Sequence, residues 1–407
     1  MSPARIIFTA LLPFAAGYFM SYLLRAVNAV VAPDLVRDAG LSPAQLGLLT
    51  AAYLGAFALF QLPLGVLLDR YGPRKVQAGL LSVAALGCLG FAAAPDFAGL
   101  FAARAVIGLG FSAGLMASYK SSATWVPIER RSLANTGIMS LGALGVLVAT
   151  EPTEYLVGQI GWRSTFLVFA VVIMLAALLI LVLAPRRDTI GEPAPFAAQF
   201  AQLTAIMKRP LFWRVAPLLG LTSGVQIGIQ TLWAGPWYRD VMGFSREEVA
   251  RHLLWMALSF MIGILSVGVI ADRLGRRGIG PMPVMLGFNV IYFVAQALIV
   301  FRVDGLMVPA WLAVAAFGQV AVLAFPWFAA HIGKDLAGRA NATINFAMFV
   351  AAFTAQYAVG LVIGLFPNTA TGYDPRGYSW AIGILLVLQL LAFAWHLAAS
   401  PHRESRP

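Results

Sequence analysis

Three ionisable residues stand inside long apolar runs of this chain: Arg25, Arg104 and Glu151. An ionisable group in the middle of a membrane-spanning helix costs about 2.5 to 3.5 kcal/mol on insertion scales, so its presence indicates a function. Counted from the ends of their runs, the three residues lie at comparable depths. Two guanidinium groups beside one carboxylate leave a positive charge without a partner. These residues therefore predict a site that holds an anion.

Within this site we predict that Arg25 binds the anionic group of a ligand. Glu151 would pair with Arg25 or Arg104 and exchange a proton, because a carboxylate takes up a proton more readily once such a pair is broken. The alternative is a static buried pair of Arg104 and Glu151 that holds helices together without a cycle of protonation. Glu154, one turn further along, is expected at the membrane surface in contact with water.

Polar side chains of the second half of the chain could complete this site. Gln226, Gln230, Trp233 and Trp237 are spaced four, three and four residues apart, which places them on one face of a helix. Amides and indoles orient a polar ligand without adding a fixed charge. The two tryptophans could equally belong to the aromatic belt at the membrane surface.

Two later runs also carry polar residues among apolar ones. Gln319, Pro326 and Trp327 predict a kinked helix with a polar site midway. Asn345 and Gln356 lie three turns apart in the next run, where they either line a substrate path or hydrogen-bond between helices. The sequence has no Gly-Lys-[Ser/Thr] nucleotide loop and suggests no metal or heme site. We therefore expect no cofactor and no metal.

The elements that position these residues follow from the composition. Apolar residues make up 60% of the 407-residue chain and charged residues only 11%, with a mean hydropathy of +0.82. A water-soluble globule of this length would need far more charge on its surface. The apolar residues come in runs of about 18 to 25, long enough to cross a bilayer as helices. The sequence thus predicts an all-α integral membrane protein whose surface contacts lipid.

Twelve apolar runs can be marked, and we number them segments 1 to 12. They are 6–31, 45–67, 77–94, 97–119, 132–157, 164–184, 211–234, 249–270, 283–301, 309–330, 340–366 and 379–399. Residues 1–184 and 211–407 then form two six-helix bundles. Residues 185–210, rich in Pro and charge at their start, form a linker in which 196–207 could be a short interfacial helix.

The charges fall mainly in the short loops between the runs. The net charge of +11 is therefore no sign of nucleic-acid binding. Most of the 28 Lys and Arg residues lie in the linker, the termini and the even-numbered loops, which places those parts in the cytoplasm. We expect a multi-pass protein of the inner membrane with both termini cytoplasmic. The single cysteine, Cys88, excludes an intrachain disulfide.

One motif occurs twice, in the loops after segments 2 and 8. Gly65-Val-Leu-Leu-Asp69-Arg70-Tyr-Gly-Pro-Arg74-Lys is followed, 203 residues later, by Gly268-Val-Ile-Ala-Asp272-Arg273-Leu-Gly-Arg276-Arg. The two glycines would allow helices to cross closely. The two aspartates could accept N–H groups at a helix start and pair with the arginines that follow. A repeat of almost half the chain length predicts two halves of equal design.

These features together resemble the major facilitator superfamily, in its bacterial type, over essentially the whole chain. The resemblance rests on the two motif copies, on Arg104-Ala-Val-Ile-Gly-Leu-Gly in segment 4, and on Gly161-Trp-Arg before segment 6. It implies twelve helices in two pseudo-symmetric bundles that rock about a central site lined by segments 1, 4, 7 and 10. It also implies that the residues of both motif copies form a cytoplasmic latch, which gates access to that site.

Segment 1 adds a partial resemblance to one branch of the superfamily. Tyr22-Leu-Leu-Arg25-Ala-Val-Asn28 is similar to the first helix of the organic anion/cation symporters. In those proteins the arginine contacts a substrate carboxylate, which implies a substrate-binding role for Arg25 and Asn28 here.

The function expected from residues and resemblance together is secondary active transport. The favoured form is proton-coupled uptake of a small organic anion or polar metabolite by a monomer. A proton-coupled exporter of drugs or metabolites is the alternative in the same fold, and a substrate-sensing membrane receptor is the alternative of another class. An enzyme is not expected, since no nucleophile, base and metal ligands converge in the sequence.

Overall fold

A computed structural model describes residues 6–185, 196–333, 336–369 and 372–398. Every regular element in these ranges is helical. The α-helices are Leu12–Ala26, Asn28–Ala39, Pro43–Ala93, Phe97–Gly110, Gly114–Trp125, Ile128–Val148, Glu151–Leu183, Phe196–Met207, Pro210–Gly228, Ala234–Met242, Arg246–Gly275, Pro281–Val300, Met307–Phe317, Ala324–Ile332, Ala337–Ile363 and Pro375–Ala398. In the described ranges, eleven helical stretches are long and apolar enough to span a membrane, and Leu133–Val148 is a shorter twelfth. The prediction of twelve helical segments is confirmed.

Segments 2 and 3 are joined by a turn at a single glycine. Gly72 has φ 75° and ψ 160°, a combination almost confined to glycine. Neighbouring residues of segment 4 contact segment 2 and segment 3. Gly108 lies against Tyr53 of segment 2, and Gly110 lies against Ala84 of segment 3. The chain therefore reverses at Gly72, although helix continues up to the turn and directly after it.

Segments 5 and 6 are joined in the same way. Helix is interrupted at Ala149 and Thr150, resumes at Glu151, and turns at Gly161, which has φ 77° and ψ 159°. Directly after this turn, Trp162 donates a hydrogen bond of 2.8 Å to Asp38, near the end of the helix Asn28–Ala39 that continues segment 1. The interruption places Glu151 within segment 5 but beside a break in its helix.

Segments 1, 4, 7 and 10 each contain an irregular turn near their middle. The helix breaks at Val27 in segment 1 and over residues 111–113 in segment 4. Segment 7 contains the π-helical turn Ile229–Trp233, and segment 10 the 3₁₀ turn Val320–Leu323. Pro326, which cannot donate to the carbonyl four residues earlier, accounts for the turn in segment 10. Such backbone is tolerated at membrane depth where it is enclosed by protein or lines a cavity.

The first half, segments 1–6, contacts the second half, segments 7–12, along three lines. Segment 2 packs along segment 11, segment 5 against segment 8, and the later part of segment 1 against the later part of segment 7. Phe57 and Phe349 meet across the first of these contacts with ring centroids 4.5 Å apart. The backbone approaches closely where Gly360 lies against the carbonyl of Pro43.

The linker predicted over 185–210 is only partly described. The helix Phe196–Met207 is present as predicted. Residues 186–195 lie outside the described residues, as do residues 1–5 and 399–407, so the predicted position of both termini stays a prediction.

Candidate functional site

A cavity of about 470 Å³ lies between the two halves, at the level of the irregular turns. Segments 1, 4 and 5 of the first half and segments 7, 8, 10 and 11 of the second half line it. It extends from Thr150 and Leu253 at one end to Tyr119 and Gly338 at the other. Its walls are mainly apolar, with a few polar side chains, as in other sites for small molecules.

Arg25 is the cation of this cavity. Its side chain is 8% exposed, and its guanidinium carbon lies 4.7 Å from the ring centroid of Tyr22 and 5.1 Å from those of Phe57 and Phe349. Its Nε has no hydrogen-bond partner, and no carboxylate of the described ranges is within ion-pairing distance of it. Aromatic faces stabilise the charge without using its N–H groups. Because it has no carboxylate partner, Arg25 can bind an anion in the cavity.

Arg104 has a different position from the one predicted. It is fully buried but does not line the cavity. Its Nη1 donates a hydrogen bond of 3.1 Å to the carbonyl of Leu24, while Nε and Nη2 have no partner. Leu24 is in the last turn before the break at Val27, where helical carbonyls lack their usual donors. Arg104 therefore caps the half-helix that carries Arg25, and contact with substrate or a proton role for it stays a prediction.

Glu151 does not form the predicted pair in this conformation. Its side chain is exposed at the start of the helix Glu151–Leu183, and no described ion pair joins it to Arg25 or Arg104. The neighbouring residue, Thr150, does line the cavity.

Asn28 is fully buried behind the cavity wall and ties segment 1 to segment 2. Its amide nitrogen donates a hydrogen bond of 2.8 Å to the hydroxyl of Thr50. Its amide oxygen has no partner. The substrate contact predicted for Asn28 is therefore not open to the cavity here.

Three predicted glutamines do meet in the cavity. Gln319 donates a hydrogen bond of 2.5 Å to Gln226, and Gln226 donates to Gln230 in turn. All three line the cavity, as do Asn345 and, one turn before it, Asn341. The second half thus faces Arg25 with amide groups, which donate and accept hydrogen bonds without adding charge.

The other predicted residues of segments 7, 10 and 11 lie outside the cavity lining. Gln356 is fully buried and donates to the carbonyl of Gly228 and the hydroxyl of Thr231, so it joins two helices. Trp233 donates a hydrogen bond of 2.9 Å to the carbonyl of Gln356. It is fully buried, so the aromatic-belt interpretation is wrong. Trp327 stacks on His331 instead of reaching the cavity.

Aromatic residues of the first half complete the lining, and the sequence prediction missed them. Tyr18, Tyr22 and Tyr119 all line the cavity, and the first two pack edge to face at 5.0 Å. Tyr18, Tyr22, Arg25 and Ala29 are spaced four, three and four residues apart, the pattern of one helix face. The same spacing that singled out the glutamines of segment 7 would have identified this face.

Both copies of the repeated motif lie at the same end of the molecule, which contains Asp69 and Asp272. We call it the motif end. Asp69 pairs with Lys120 at 2.6 Å, not with the arginines that follow it. Asp272 pairs with Arg276 at 2.7 Å, as predicted. Arg74 donates to the carbonyl of Leu181. These partners lie within one half, and no described ion pair joins the halves at this end.

The helix crossing predicted at the motif glycines is not formed in this conformation. Gly65 and Gly268 are both exposed, and no atom lies within 4 Å of the Cβ position of Gly268. Arg70 and Arg273 are exposed as well. Close helix contacts occur elsewhere, for example where Gly263 meets the backbone of Ala316.

The opposite end of the molecule is closed by charged residues from both halves. Arg246, at the start of segment 8, donates to both carboxylate oxygens of Asp34, at 3.0 and 2.6 Å, and also to Glu154. We call these three residues the clasp and this side the clasp end. The side chain of Glu154 is only 12% exposed, so the prediction of a solvated Glu154 is wrong. Sequence spacing offers no signal for contacts across the two halves.

The family model of the Major Facilitator Superfamily matches residues 14–356. The chain belongs to the Major Facilitator Superfamily. Its similarity to solved structures agrees: a bacterial homologue of the human lysosomal transporter Spinster, inward-facing and occupied, has a TM-score of 0.77 at 17% identity, over 98% of this chain and 97% of that one. A D-xylose–proton symporter has a TM-score of 0.73 at 16% identity, over 97% and 98%. At these identities the similarity shows the fold.

Relatives of the chain include several transporters that are named for a substrate. The hexuronate transporter of Escherichia coli K12 is 26% identical over 92% of this chain and 89% of its own length. The niacin transporter NiaP of Acinetobacter baylyi is 23% identical over 73% and 74%. The probable sulfoacetate transporter SauU of Cupriavidus necator is 25% identical over 64% of each chain, which is less than two thirds of its length. The chain is a membrane transporter of this superfamily and not an enzyme.

Proposed function

We propose that the protein takes up a small organic anion by alternating access. The observation that carries the proposal is Arg25, a nearly buried cation that faces the cavity without a carboxylate partner. A carboxylate or sulfonate could accept charge-assisted hydrogen bonds from its guanidinium group. Gln226, Gln230 and Gln319 would hold the polar part of the substrate from the other half.

Similarity to transporters of hexuronate, niacin and sulfoacetate supports an acidic substrate. The cavity of about 470 Å³ would accommodate a molecule of that size. We further propose that the motif end faces the cytoplasm, because most Lys and Arg residues lie in loops on that side. Uptake would then cross the inner membrane, be coupled to protons, and need one copy of the chain.

The test uses purified protein in liposomes, with uptake of glucuronate, sulfoacetate and nicotinate compared with uptake of neutral glucose. We expect anions to enter and glucose not to. Arg25→Gln should weaken the apparent affinity for the anion by about tenfold to a hundredfold, since a hydrogen bond to a charged group contributes about 1.5 to 3 kcal/mol. Arg25→Lys keeps the charge but loses the planar guanidinium, so its affinity should be intermediate.

Arg251→Gln is the matched control for Arg25. It also removes one arginine, but from an exposed position on segment 8. The proposal fails if no anion moves in the wild type, or if Arg25→Gln transports as Arg251→Gln does. Transport in the outward direction alone would point to the exporter instead.

A further inference from the structure

A second, smaller cavity of about 100 Å³ lies between the halves at the clasp end. Glu154, Arg239 and Arg246 supply its charged wall. Ala29, Val30 and Leu253 line both this cavity and the central one. The small cavity therefore continues the path from the central site toward the clasp end, and Arg246 stands directly on that path.

The two carboxylates that pair with Arg246 differ in whether a second cation also contacts them. Asp34 also accepts a hydrogen bond of 3.1 Å from Arg37, so it keeps a cation if Arg246 moves away. Glu154 has Arg246 as its only ion-pair partner among the described residues. The other acidic groups near Glu154 are Asp34 and Glu247, which carry the same negative charge. Without Arg246, an ionised Glu154 would be left among like charges.

The second arginine of the small cavity, Arg239, already forms an ion pair with another residue. Arg239 pairs with the nearly buried Asp240 at 2.6 Å, and Asp240 also accepts hydrogen bonds from the hydroxyl of Tyr378 and the backbone N–H of Tyr373. This network fixes Arg239 and neutralises its charge. Arg246 is therefore the residue of this wall whose contacts can be exchanged.

We propose that the small cavity is an entry site for the anionic group of the substrate, with Arg246 as its ligand, and that Glu154 must take up a proton before the anion can bind there. The proton comes from water on the clasp side and binds a carboxylate oxygen of Glu154. Neutral Glu154 no longer competes for Arg246, and a carboxylate or sulfonate takes its place on the freed N–H group. This inference rests on the proposed anion transport and adds the residue that couples it to protons.

Proton and anion are then linked, because each removes the same ion pair between Glu154 and Arg246. What still joins the halves is the pair of Arg246 with Asp34, whose Oδ1 is shared with Arg37. The anion then moves on to Arg25 in the central cavity. Glu154 pairs with Arg246 again and gives its proton to water in that cavity, from which anion and proton leave toward the motif side. Binding of one favours binding of the other by the same factor.

The experiment uses the full chain in liposomes of determined orientation, with glucuronate as the probe and a pH-sensitive dye to follow protons. With wild type, we expect the apparent affinity from the clasp side to fall by up to about tenfold for each pH unit above the titration of Glu154, the limit for one linked proton. Glu154→Gln should abolish this pH dependence and the proton movement. Exchange of labelled for unlabelled anion should persist in Glu154→Gln, which shows that the variant is folded.

Two further variants separate the possible outcomes. Compared with Glu154→Gln, which also breaks the ion pair but keeps the guanidinium, Arg246→Gln should weaken the apparent affinity from the clasp side about tenfold or more. Asp304→Asn, which removes an exposed carboxylate in another loop at the same end, is the control and should behave as wild type.

The inference is overturned if Glu154→Gln keeps the pH dependence and proton movement, or if Glu151→Gln abolishes them and Glu154→Gln does not. Absence of anion exchange in the wild type would instead contradict the proposed function.

Discussion

Arg25 and Arg104 are the same residue type and nearly equally buried, yet their surroundings give them different roles. Arg25 faces the cavity among aromatic rings, whereas Arg104 is enclosed between Phe91 and Phe166 and donates to the backbone. The sequence identifies both as charges within the membrane. It does not distinguish them, because which helix face is covered depends on neighbours distant in sequence.

Arg104 provides the first prediction at this scale. Burying a cation without an acidic partner costs more than one backbone hydrogen bond returns, so removing the charge should not lower stability much. We expect Arg104→Met to keep or raise the melting temperature in detergent while it reduces anion uptake, because the half-helix that carries Arg25 loses its cap. A drop in stability by more than about 3 kcal/mol would instead indicate a carboxylate partner for Arg104.

Glu154 marks the limit of sequence-based prediction for single residues. Glu151 and Glu154 lie one turn apart in one helix, and only the second meets Arg246, which is 92 residues away in the other half. In the sequence, nothing distinguishes Arg246 from the other charged residues between apolar runs. Its role depends on the docking of the two halves, which no local pattern encodes.

At the scale of elements, the number of segments was predictable, whereas their ends and the helix breaks were predictable only in part. Hydropathy located all twelve segments, because a bilayer sets the length of each apolar run. The break in segment 10 could be predicted from Pro326. Pro236 follows the turn Ile229–Trp233 by three residues, as Pro326 follows the turn in segment 10, so it offers the same signal. The breaks at Val27 and over 111–113 have no proline within the next four residues, and they depend on packing and on the cavity that receives the freed backbone groups.

The turn at Gly161 gives a prediction for one element. Its φ of 77° with ψ of 159° is strained for any residue with a Cβ, although nothing lies within 4 Å of the Cβ position. Gly161→Ala should therefore destabilise the protein by about 1 to 3 kcal/mol through backbone strain alone. Gly158→Ala, in open space within the same helix, is the matched control and should be neutral or stabilising. Equal melting temperatures for both variants would contradict this account.

The contact between segments 1 and 6 predicts a pH effect. A hydrogen bond from Trp162 holds the pKa of Asp38 below its ordinary value of 3.8, and Arg37 adds to this. Because the folded pKa is lowered, the stabilisation is present above about pH 4 and is lost as pH falls through the folded pKa. It should amount to less than about 1 kcal/mol, since Asp38 is partly exposed.

Melting temperatures between pH 6 and pH 3 check this effect. Trp162→Phe keeps an aromatic ring against Phe91 but removes the N–H group, so its stability should depend less on pH than that of wild type. Asp304→Asn changes an exposed carboxylate in another loop and should leave the pH dependence as it is. A pH dependence of Trp162→Phe equal to that of wild type would show that Asp38 gains nothing from the hydrogen bond.

At the scale of the whole molecule, the repeat predicts two equal halves. The structure has six helical segments in each half, but the polar and charged residues of the halves differ. The cation of the central cavity comes from the first half and the amides from the second. The described ion pairs between halves occur at the clasp end only, where Arg246 has no counterpart in the first half. These ion pairs close the clasp end in the described conformation, and the central cavity reaches Gly338 toward the motif end.

This asymmetry predicts from which side the cavity can be reached. Cys88 is fully buried, so the wild-type chain should not react with a membrane-impermeant thiol reagent. Thr150→Cys places a thiol in the cavity, where the reagent should reach it from the motif side and hardly at all from the clasp side. Thr222→Cys, fully buried away from the cavity, is the unreactive control.

Adding Arg246→Gln to Thr150→Cys should make the thiol react from the clasp side. The substitution removes both ion pairs that close this end, and a change of about 1.4 kcal/mol in the balance between conformations alters their ratio tenfold. Labelling from each side, followed over time by mass spectrometry, measures that ratio. If the clasp-side rate stays at the Thr222→Cys level despite Arg246→Gln, the close packing of segment 1 on segment 7 around Gly235, and not the clasp, keeps this end closed.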